Sequence, residues 1–207
     1  MELPVYIPYV NRPDLLLKAV QSLGKYAAKV VVIDNSENQD VETKVPGTDV
    51  FKPCVPLSFT QSQNWMMKTS DIYIWMHVDA EASEDAYEKL CAKVEEVKDT
   101  KWGVIYMRYD IFSAVNGKAG RELGGYDNVF MDYSSDVDFY HRLDLAGLKR
   151  INLGHPDIKH VGSQTIKSDV VLGIKNAFMG SSRHDYYLKK WGGPGGFEVY
   201  KTPFNLL

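Results

Sequence analysis

Cysteine is scarce in this sequence. Cys54 and Cys91 are the only two among 207 residues, and they make neither a disulfide framework nor a metal-ligand spacing, so free thiols in a reducing compartment are expected. No apolar run approaches the roughly 18 residues that cross a bilayer, which predicts a protein without a membrane span. The opening MELPVYIPYV carries an acid at position 2 and a proline at position 4, unlike a secretory leader. Together these absences predict a cytoplasmic location. Glycine-rich phosphate loops are missing too. Gly124-Gly125 and the stretch Gly192–Gly196 match neither GxGxxG nor GxxxxGK followed by Ser or Thr, which argues against a dinucleotide enzyme or a P-loop kinase. No GxSxG occurs, and neither cysteine has a nucleophile's setting.

What is present is an ordinary globular composition, 44% hydrophobic and 25% charged, which excludes disordered and fibrous classes. A chain of this length buries about 70% of its unfolded surface, enough for a core without staples, and predicts one domain over 1–207 with a decorated edge. Charge is spread unevenly. Residues 1–140 hold 14 Lys and Arg against 22 Asp and Glu, and residues 141–207 hold 10 against 5, so −8 and +5 give the overall −3. A basic last third suits a phosphate-bearing ligand. It is equally the pattern of a solvated face, since no basic run exceeds Lys189-Lys190 or Lys149-Arg150. The high pI and basic stripe of a dedicated duplex-binding domain are not there.

Apolar residues alternate between strand and helix spacing through the first hundred positions. Leu3–Pro8, Val30–Ile33, Val50–Phe51 and Ile72–Val78 read as strands. Leu16, Val20 and Leu23 repeat at helical spacing between Pro13 and Gly24. Ser58 to Lys68 is helix-like, and Ser83 caps a helix whose Ala86, Leu90, Val94 and Val97 share one face. This alternation predicts an α/β fold with a mainly parallel sheet flanked by helices. Ligands of such sheets sit beyond the carboxyl ends of the strands, which selects the loop after Pro8, the turn at Asp34 and the segment His77–Glu81. In the second half, Trp102–Met107 and Asp110–Val115 read as strands, with Asn116-Gly117 as a turn. A helix starts at Ser135 and stops at Gly147, short strands follow at Ile151–Leu153 and Ile158–Val161, and a last helix runs from about Asn176 to Lys190.

Three acidic positions fall at chain reversals where a ligand could reach them. Asp34 ends the second strand and either accepts from a ribose hydroxyl or a base N–H, or makes local turn hydrogen bonds within Asp34-Asn35-Ser36. His77, Asp79 and Glu81 follow the aromatic strand at period two, which would aim them from one face at a divalent cation bridging phosphates. The alternative is that Asp79 and Glu81 only lead into the Ser83 helix as favourable N-terminal charges. Asp136 and Asp138 open a helix, where a carboxylate can serve as general base. Ser135 with Asp138 three residues on is also nearly a capping box. The separation of His155 and His160 is no zinc spacing.

The order of these pieces resembles the family 2 glycosyltransferases, which adopt the GT-A fold. PVYIPYVNRPDLLLKAVQSL followed by VVVIDNSEN is similar to their opening, and SFTQSQNWMMKTSDIYIWMHVDAE to their Asn-bearing helix and the strand ending in a metal-binding Asp. GGYDNVFMDYSSDVDFYHRLDLAGLKR resembles the segment carrying the acceptor-side base, and HPDIKHVGSQT the late His-x-Gly segment. The likeness spans residues 3 to about 163, and Tyr186 to Gly192 looks more loosely like the close of short members. It implies a nucleotide-sugar-binding half over 1–100 and an acceptor-side half over 101–207 with a C-terminal helix. Pro8, Tyr9, Asn11 and Arg12 would line the nucleotide cleft, Asp34 would meet uracil or ribose, and Asn64 and His77 would lie near the nucleotide. Gly124, Gly125 and Tyr126 would shape the sugar pocket. Asp79, completed by His160, would hold Mn²⁺ or Mg²⁺ on the donor diphosphate, and Asp136 would be the base, supported by Asp138 and Arg142.

The implied activity is inverting transfer from a nucleoside diphosphate sugar, UDP-sugar favoured through Asp34, to an acceptor hydroxyl. The acceptor class expected first is a saccharide or polymer. Short stand-alone members also occur in phage, which makes a hydroxymethylated DNA base the second class, in the host cytoplasm. Three positions depart from the pattern: His77 stands where a first Asp is common, Gln63 where an Arg often precedes the Asn, and Ser135 where Glu usually precedes the base. They motivate an alternative, a non-catalytic nucleotide-sugar-binding relative of the same fold. A nucleotidyltransferase would need a basic glycine-rich loop after the first strand, and PYVNRPD has no glycine.

Overall fold

A computed structural model describes residues 1–154 and 158–206; His155, Pro156 and Asp157 at the head of the HPDIKH segment, and Leu207, lie outside them. The chain runs β1 (Val5–Tyr9), α1 (Pro13–Ser22), β2 (Val30–Asp34), the one-turn α2 (Val41–Lys44), β3 (Asp49–Phe51), α3 (Phe59–Thr69), β4 (Ile72–Met76), β5 (Ala80–Glu81) and α4 (Glu84–Val97). There follow β6 (Trp102–Tyr106), β7 (Phe112–Asn116), α5 (Gly117–Glu122), α6 (Ser135–Leu145), β8 (Lys149–Asn152), β9 (Lys159–His160), α7 (Gln164–Lys167) and α8 (Val170–Trp191). Among the described residues no helix is long and apolar enough to cross a membrane.

Seven strands form one sheet in the order β3-β2-β1-β4-β7-β6-β8, and β5 pairs with β9 in a separate ribbon. All neighbours are parallel except β7, which runs against both β4 and β6. The mixed, mainly parallel α/β architecture expected from the alternation is therefore the one observed. Strand order reverses between β1 and β4, and the crevice beyond the carboxyl ends of two such strands is where ligands of open α/β sheets bind. Pairing of β1 with β4 covers only Val5 and Tyr6. Pro8, which has no N–H to give, thus sits where the two strands have already parted, and the crevice opens there.

Alternation along each strand sorts the core into two layers. Val5 and Ile7 of β1, Ile74 and Met76 of β4 and Phe112 and Ala114 of β7 pack with Leu16 and Leu23 of the α1 side and Leu90 and Val94 of α4. Tyr6, Tyr73, Trp75, Val104 and Val115 face the other way, onto Met66 and Met67 of α3 and Phe139 and Leu143 of α6. A third, smaller cluster of Phe130, Tyr187 and Trp191 joins the end of α8 to the segment before α6.

Three local expectations give way. Asn116-Gly117, expected as a turn between short elements, is instead the passage from β7 straight into a helix: the Asn116 side chain accepts from Ala119 N–H at 3.0 Å and caps α5. Asn favours helix caps as strongly as turns. Ser135 is not the cap of α6. That position is Ser134, left-handed at φ 70 with no side-chain cap, while the Ser135 hydroxyl donates back to the Asp132 carbonyl. The last helix starts well before Asn176, capped by Asp169, whose side chain accepts from Leu172 N–H at 3.0 Å. Its first turns expose Val170, Val171, Ile174 and Phe178, so no core-facing stripe marks them.

Asp138 ties α6 to α8. Its carboxylate is fully buried, accepts from Trp191 Nε1 at 2.8 Å and from Arg142 Nε at 2.9 Å, and pairs with Lys190 Nζ at 2.7 Å. Lys190, itself 5% exposed, also pairs with Asp127 at 2.7 Å. Removing one member of a buried ionic cluster leaves the others uncompensated. Asp138→Ala is therefore expected to cost roughly 3–5 kcal/mol of stability, read as a lower midpoint in urea unfolding.

Candidate metal centre and base

The donor cluster is assembled by the β5–β9 ribbon. Ala80 pairs with His160 and Glu81 with Lys159, which sets His160 beside the residue that precedes the ribbon, Asp79. His160 Nε2 lies 3.1 Å from Asp79 Oδ1, and His77 Nδ1 lies 3.8 Å from the same oxygen. One donor atom from each of His77, Asp79 and His160 falls within 4.8 Å of the others. Asp79 is held from both ends of its residue: Gln164 N–H donates to Oδ2 and Val161 N–H to the backbone carbonyl, each at 3.1 Å. The period-two face expected of His77, Asp79 and Glu81 does not form, because β4 ends at Met76 and a turn, closed by Ala80 N–H on the His77 carbonyl at 3.2 Å, follows. Glu81 faces Lys159 instead, at 3.6 Å.

These residues fit a divalent ion by their chemistry. His160 Nε2 is buried without a hydrogen-bond partner among the described residues, and His77 turns its Nδ1 toward the same Asp79 oxygen, so each imidazole has one nitrogen to offer a metal. Burial pushes the His160 pKa below the ordinary histidine value, more than the Asp79 charge pulls it up, so the imidazole is neutral at pH 7, the form that ligates. Two imidazoles with one carboxylate suit Mn²⁺ and other transition ions better than Mg²⁺, which prefers oxygen.

Asp136 is brought alongside by the turn between β6 and β7. Its Oδ2 accepts from the Tyr109 hydroxyl at 2.7 Å. Burial raises its pKa above the ordinary aspartate value and the nearby Asp110 adds to the rise, while the Tyr109 hydrogen bond acts the other way. A carboxylate so placed accepts a proton more readily than a solvated one. Asp138, two residues on, points into the interior and touches no open space. Arg142 serves Asp138 and the Leu123 carbonyl, 3.0 Å away.

The remaining candidates divide. Asn11 and Arg12 lie in the crevice loop and meet the chain around α7: Asn11 Nδ2 donates to the Thr165 carbonyl at 3.1 Å and Arg12 Nη1 to Ser168 Oγ at 3.1 Å, while the Arg12 fork is also engaged by Asp14 at 2.8 Å. Asn11 Oδ1 is buried with no hydrogen-bond partner among the described residues. Pro8 is half-buried at the strand end, but Tyr9 belongs to the core, and burial raises its pKa. Asp34 is fully buried; it accepts from Ser36 N–H at 3.0 Å, Ser36 Oγ at 2.5 Å and Val41 N–H at 3.1 Å, which is the turn-forming alternative. Asn64 clips the loop before α6, accepting from Tyr126 N–H at 2.7 Å and donating to its carbonyl at 2.9 Å. Gly125, at φ +74, makes that clip possible, since a Cβ there would sit 2.4 Å from Asn64 Oδ1. Tyr126 is buried, stacked on Phe139 at 4.4 Å, and Gly124 is exposed. Gln63 accepts from the Tyr73 hydroxyl in the interior at 3.1 Å.

Sequence reasoning placed His77 beside Asp79 as a cation-facing residue, with Glu81 where the structure has His160, and it missed Tyr109 and Asp110. It also missed Lys190 and Trp191 as the partners of Asp138, although both lie in the segment likened to the close of short relatives.

No family model and no curated protein sequence matches the chain. Solved structures do. A mannosyltransferase of Pyrobaculum calidifontis, solved with GDP-mannose and Mn²⁺, superposes with a TM-score of 0.59 at 14% identity over 86% of this chain and 64% of its own, so this chain spans just under two thirds of it. A cytidylyltransferase of Leptospira borgpetersenii gives 0.57 at 13% identity over 97% of this chain and 99% of its own, and a mycobacterial protein 0.55 at 14% over 88% and 74%. At these identities the likeness establishes the fold: a Rossmann-like α/β sheet shared with a nucleotide-sugar transferase and a nucleotidyltransferase.

Proposed function

We propose that the protein is a metal-dependent inverting glycosyltransferase acting on a nucleoside diphosphate sugar. The observation that carries this reading is the approach, where β4 ends and β6 turns into β7, of the His77–Asp79–His160 cluster to Asp136 through the neighbouring side chains of Asp110 and Tyr109. The GT-A-like order of motifs and the mannosyltransferase likeness support it. A cation held by His77, Asp79 and His160 would neutralise charge on the departing diphosphate. Asn11, with its unpartnered Oδ1, offers an acceptor to the nucleotide from the crevice loop. Asp136 takes the proton from the acceptor hydroxyl as that oxygen attacks the anomeric carbon from the face opposite the diphosphate. Asp138 and Arg142 act behind it, fixing the helix that carries the base.

The uridine preference rested on Asp34, whose carboxylate is committed to its own turn, so the reading extends to nucleoside diphosphate sugars as a class. A saccharide or polymer hydroxyl is the favoured acceptor, because Arg142, Arg183 and Lys190, three of the cations that suited a polyanion, are spent on acids inside the fold. A second reading, nucleotidyl transfer, draws on the nearly full-length cytidylyltransferase likeness. Product analysis separates the two: sugar transfer or donor hydrolysis frees nucleoside diphosphate, whereas nucleotidyl transfer frees pyrophosphate. Absence of any donor turnover would point to the non-catalytic relative.

Asp136→Asn is expected to lower kcat by about 10²–10⁴-fold with donor affinity nearly unchanged; a collapse of donor affinity in calorimetry would contradict the assignment. Asp79→Ala and His160→Ala should each abolish the Mn²⁺-dependent part of nucleotide binding, and unchanged binding with Mn²⁺ would remove the metal from the reading. The base works as a carboxylate, so activity falls as pH drops through the raised Asp136 pKa. The acid limb of the kcat profile should accordingly lie above the ordinary aspartate value of about 4, and should vanish in Asp136→Asn.

A further inference from the structure

Three consecutive side chains of the β6–β7 turn each reach a different part of the site. Arg108 Nη1 donates to the Ile158 carbonyl at 2.8 Å, just ahead of β9 and His160. Tyr109 donates to Asp136 at 2.7 Å. Asp110 Oδ2 stands 3.7 Å from His77 Nε2, the edge of the imidazole opposite the Nδ1 that faces Asp79. The turn itself is pinned. Trp75 Nε1 donates to the Asp110 carbonyl, Ser113 Oγ donates to the Tyr109 carbonyl at 3.0 Å, and the Tyr109 ring packs edge-on against Tyr140 at 5.6 Å. Tyr109 adopts φ 43, a left-handed conformation that a bulky residue keeps only where its surroundings over-determine it.

We infer that this turn is the gauge that sets the metal donors and the base in register, with Tyr109 as a positioning residue for Asp136 and Asp110 as the carboxylate that orients His77. The inference rests on the base and metal roles proposed above. A carboxylate facing the far nitrogen of a ligating imidazole favours, by its charge, the tautomer that carries the proton on that nitrogen, and the hydroxyl on Asp136 Oδ2 leaves the other oxygen to meet the acceptor. Besides Tyr109 and Asp110, the titratable groups close enough to feel the Asp136 charge are Tyr140 of its own helix, Tyr126 of the segment before it and Tyr187 of α8, all neutral hydroxyls.

Tyr109→Phe keeps the ring and deletes the hydroxyl. Its expected signature is a kcat lower by about 10- to 100-fold with donor KM unchanged. The acid limb of kcat should also move to higher pH, because the lost hydrogen bond favoured the charged carboxylate. A purely space-filling Tyr109 would leave that limb in place. Asp110→Ala is read on the free protein by Mn²⁺ titration, where affinity should fall about 10- to 100-fold while Tyr109→Phe binds Mn²⁺ as the wild type does. Either variant matching wild type in its own readout overturns the inference. If Asp136→Asn is inactive while Tyr109→Phe is unaltered, the gauge alone fails. If Asp136→Asn keeps full turnover, the base assignment fails and takes the gauge with it.

Discussion

A ribbon of two residue pairs makes the candidate centre possible. Ala80 and Glu81 have no place in the main sheet, yet their pairing with His160 and Lys159 pulls together segments some eighty positions apart in the chain. Two further hydrogen bonds, from Val161 and Gln164 to Asp79, extend the ribbon into the site. Without it, His77 and Asp79 would be an ordinary turn after a buried strand. With it, they acquire a second imidazole held in a partly desolvated corner, and that desolvation keeps the imidazole neutral. The same backbone pairing therefore bears on both the geometry of the donors and the protonation of His160.

The two acids of α6 show how one helix turn separates chemistry from architecture. Positions i and i+2 of a helix point to nearly opposite sides, so Asp136 looks toward the β6–β7 turn while Asp138 looks into the interior. Asp136 keeps a single side-chain hydrogen bond, from Tyr109, and its burial leaves it ready to accept a proton. Asp138 is surrounded by Arg142, Lys190 and Trp191. Its charge is fully met, and it holds α6 against α8. The glycine-rich stretch after α8 closes over the same place: Gly192, left-handed at φ 73, ends the helix, and the Val199 and Tyr200 N–H groups return to the Trp191 carbonyl at 3.0 and 2.9 Å.

What was legible in the sequence is what depends on local periodicity. The strands of the parallel half, α1, α3 and α4 follow from apolar spacing and from Pro13, Ser58 and Ser83, and the crevice follows from the rule for parallel strands. The candidate acids were found because they fall at strand and helix ends. What spacing could not show is which of them remain free. Asp34 and Asp138 read as candidates as good as Asp79 and Asp136, and only burial, with three donors on Asp34 and a cationic cluster on Asp138, separates them. His160 entered through resemblance alone, because its approach to Asp79 depends on an antiparallel ribbon too short to leave a pattern. Tyr109 and Asp110 were invisible for a related reason: they sit in a turn whose importance comes from what lies opposite it in space.

Charge gives the last instance of the same distinction. The excess of five positive charges over residues 141–207 invited a phosphate-rich partner, but a formal count includes cations that never face solvent. Arg183 is 3% exposed and pairs with Asp132 at 3.1 Å, Lys190 lies between Asp127 and Asp138, and Arg142 is spent on Asp138. Arg150 is forked onto Asp144 at 2.7 Å. A long-range field able to gather a polyanion needs unpaired surface charge, and pairing within the fold removes several of the cations that made this segment look basic. Around Asp136 the groups at hand are short-range ones: the Tyr109 hydroxyl that it accepts from, and the rings of Tyr106, Tyr109 and Tyr140.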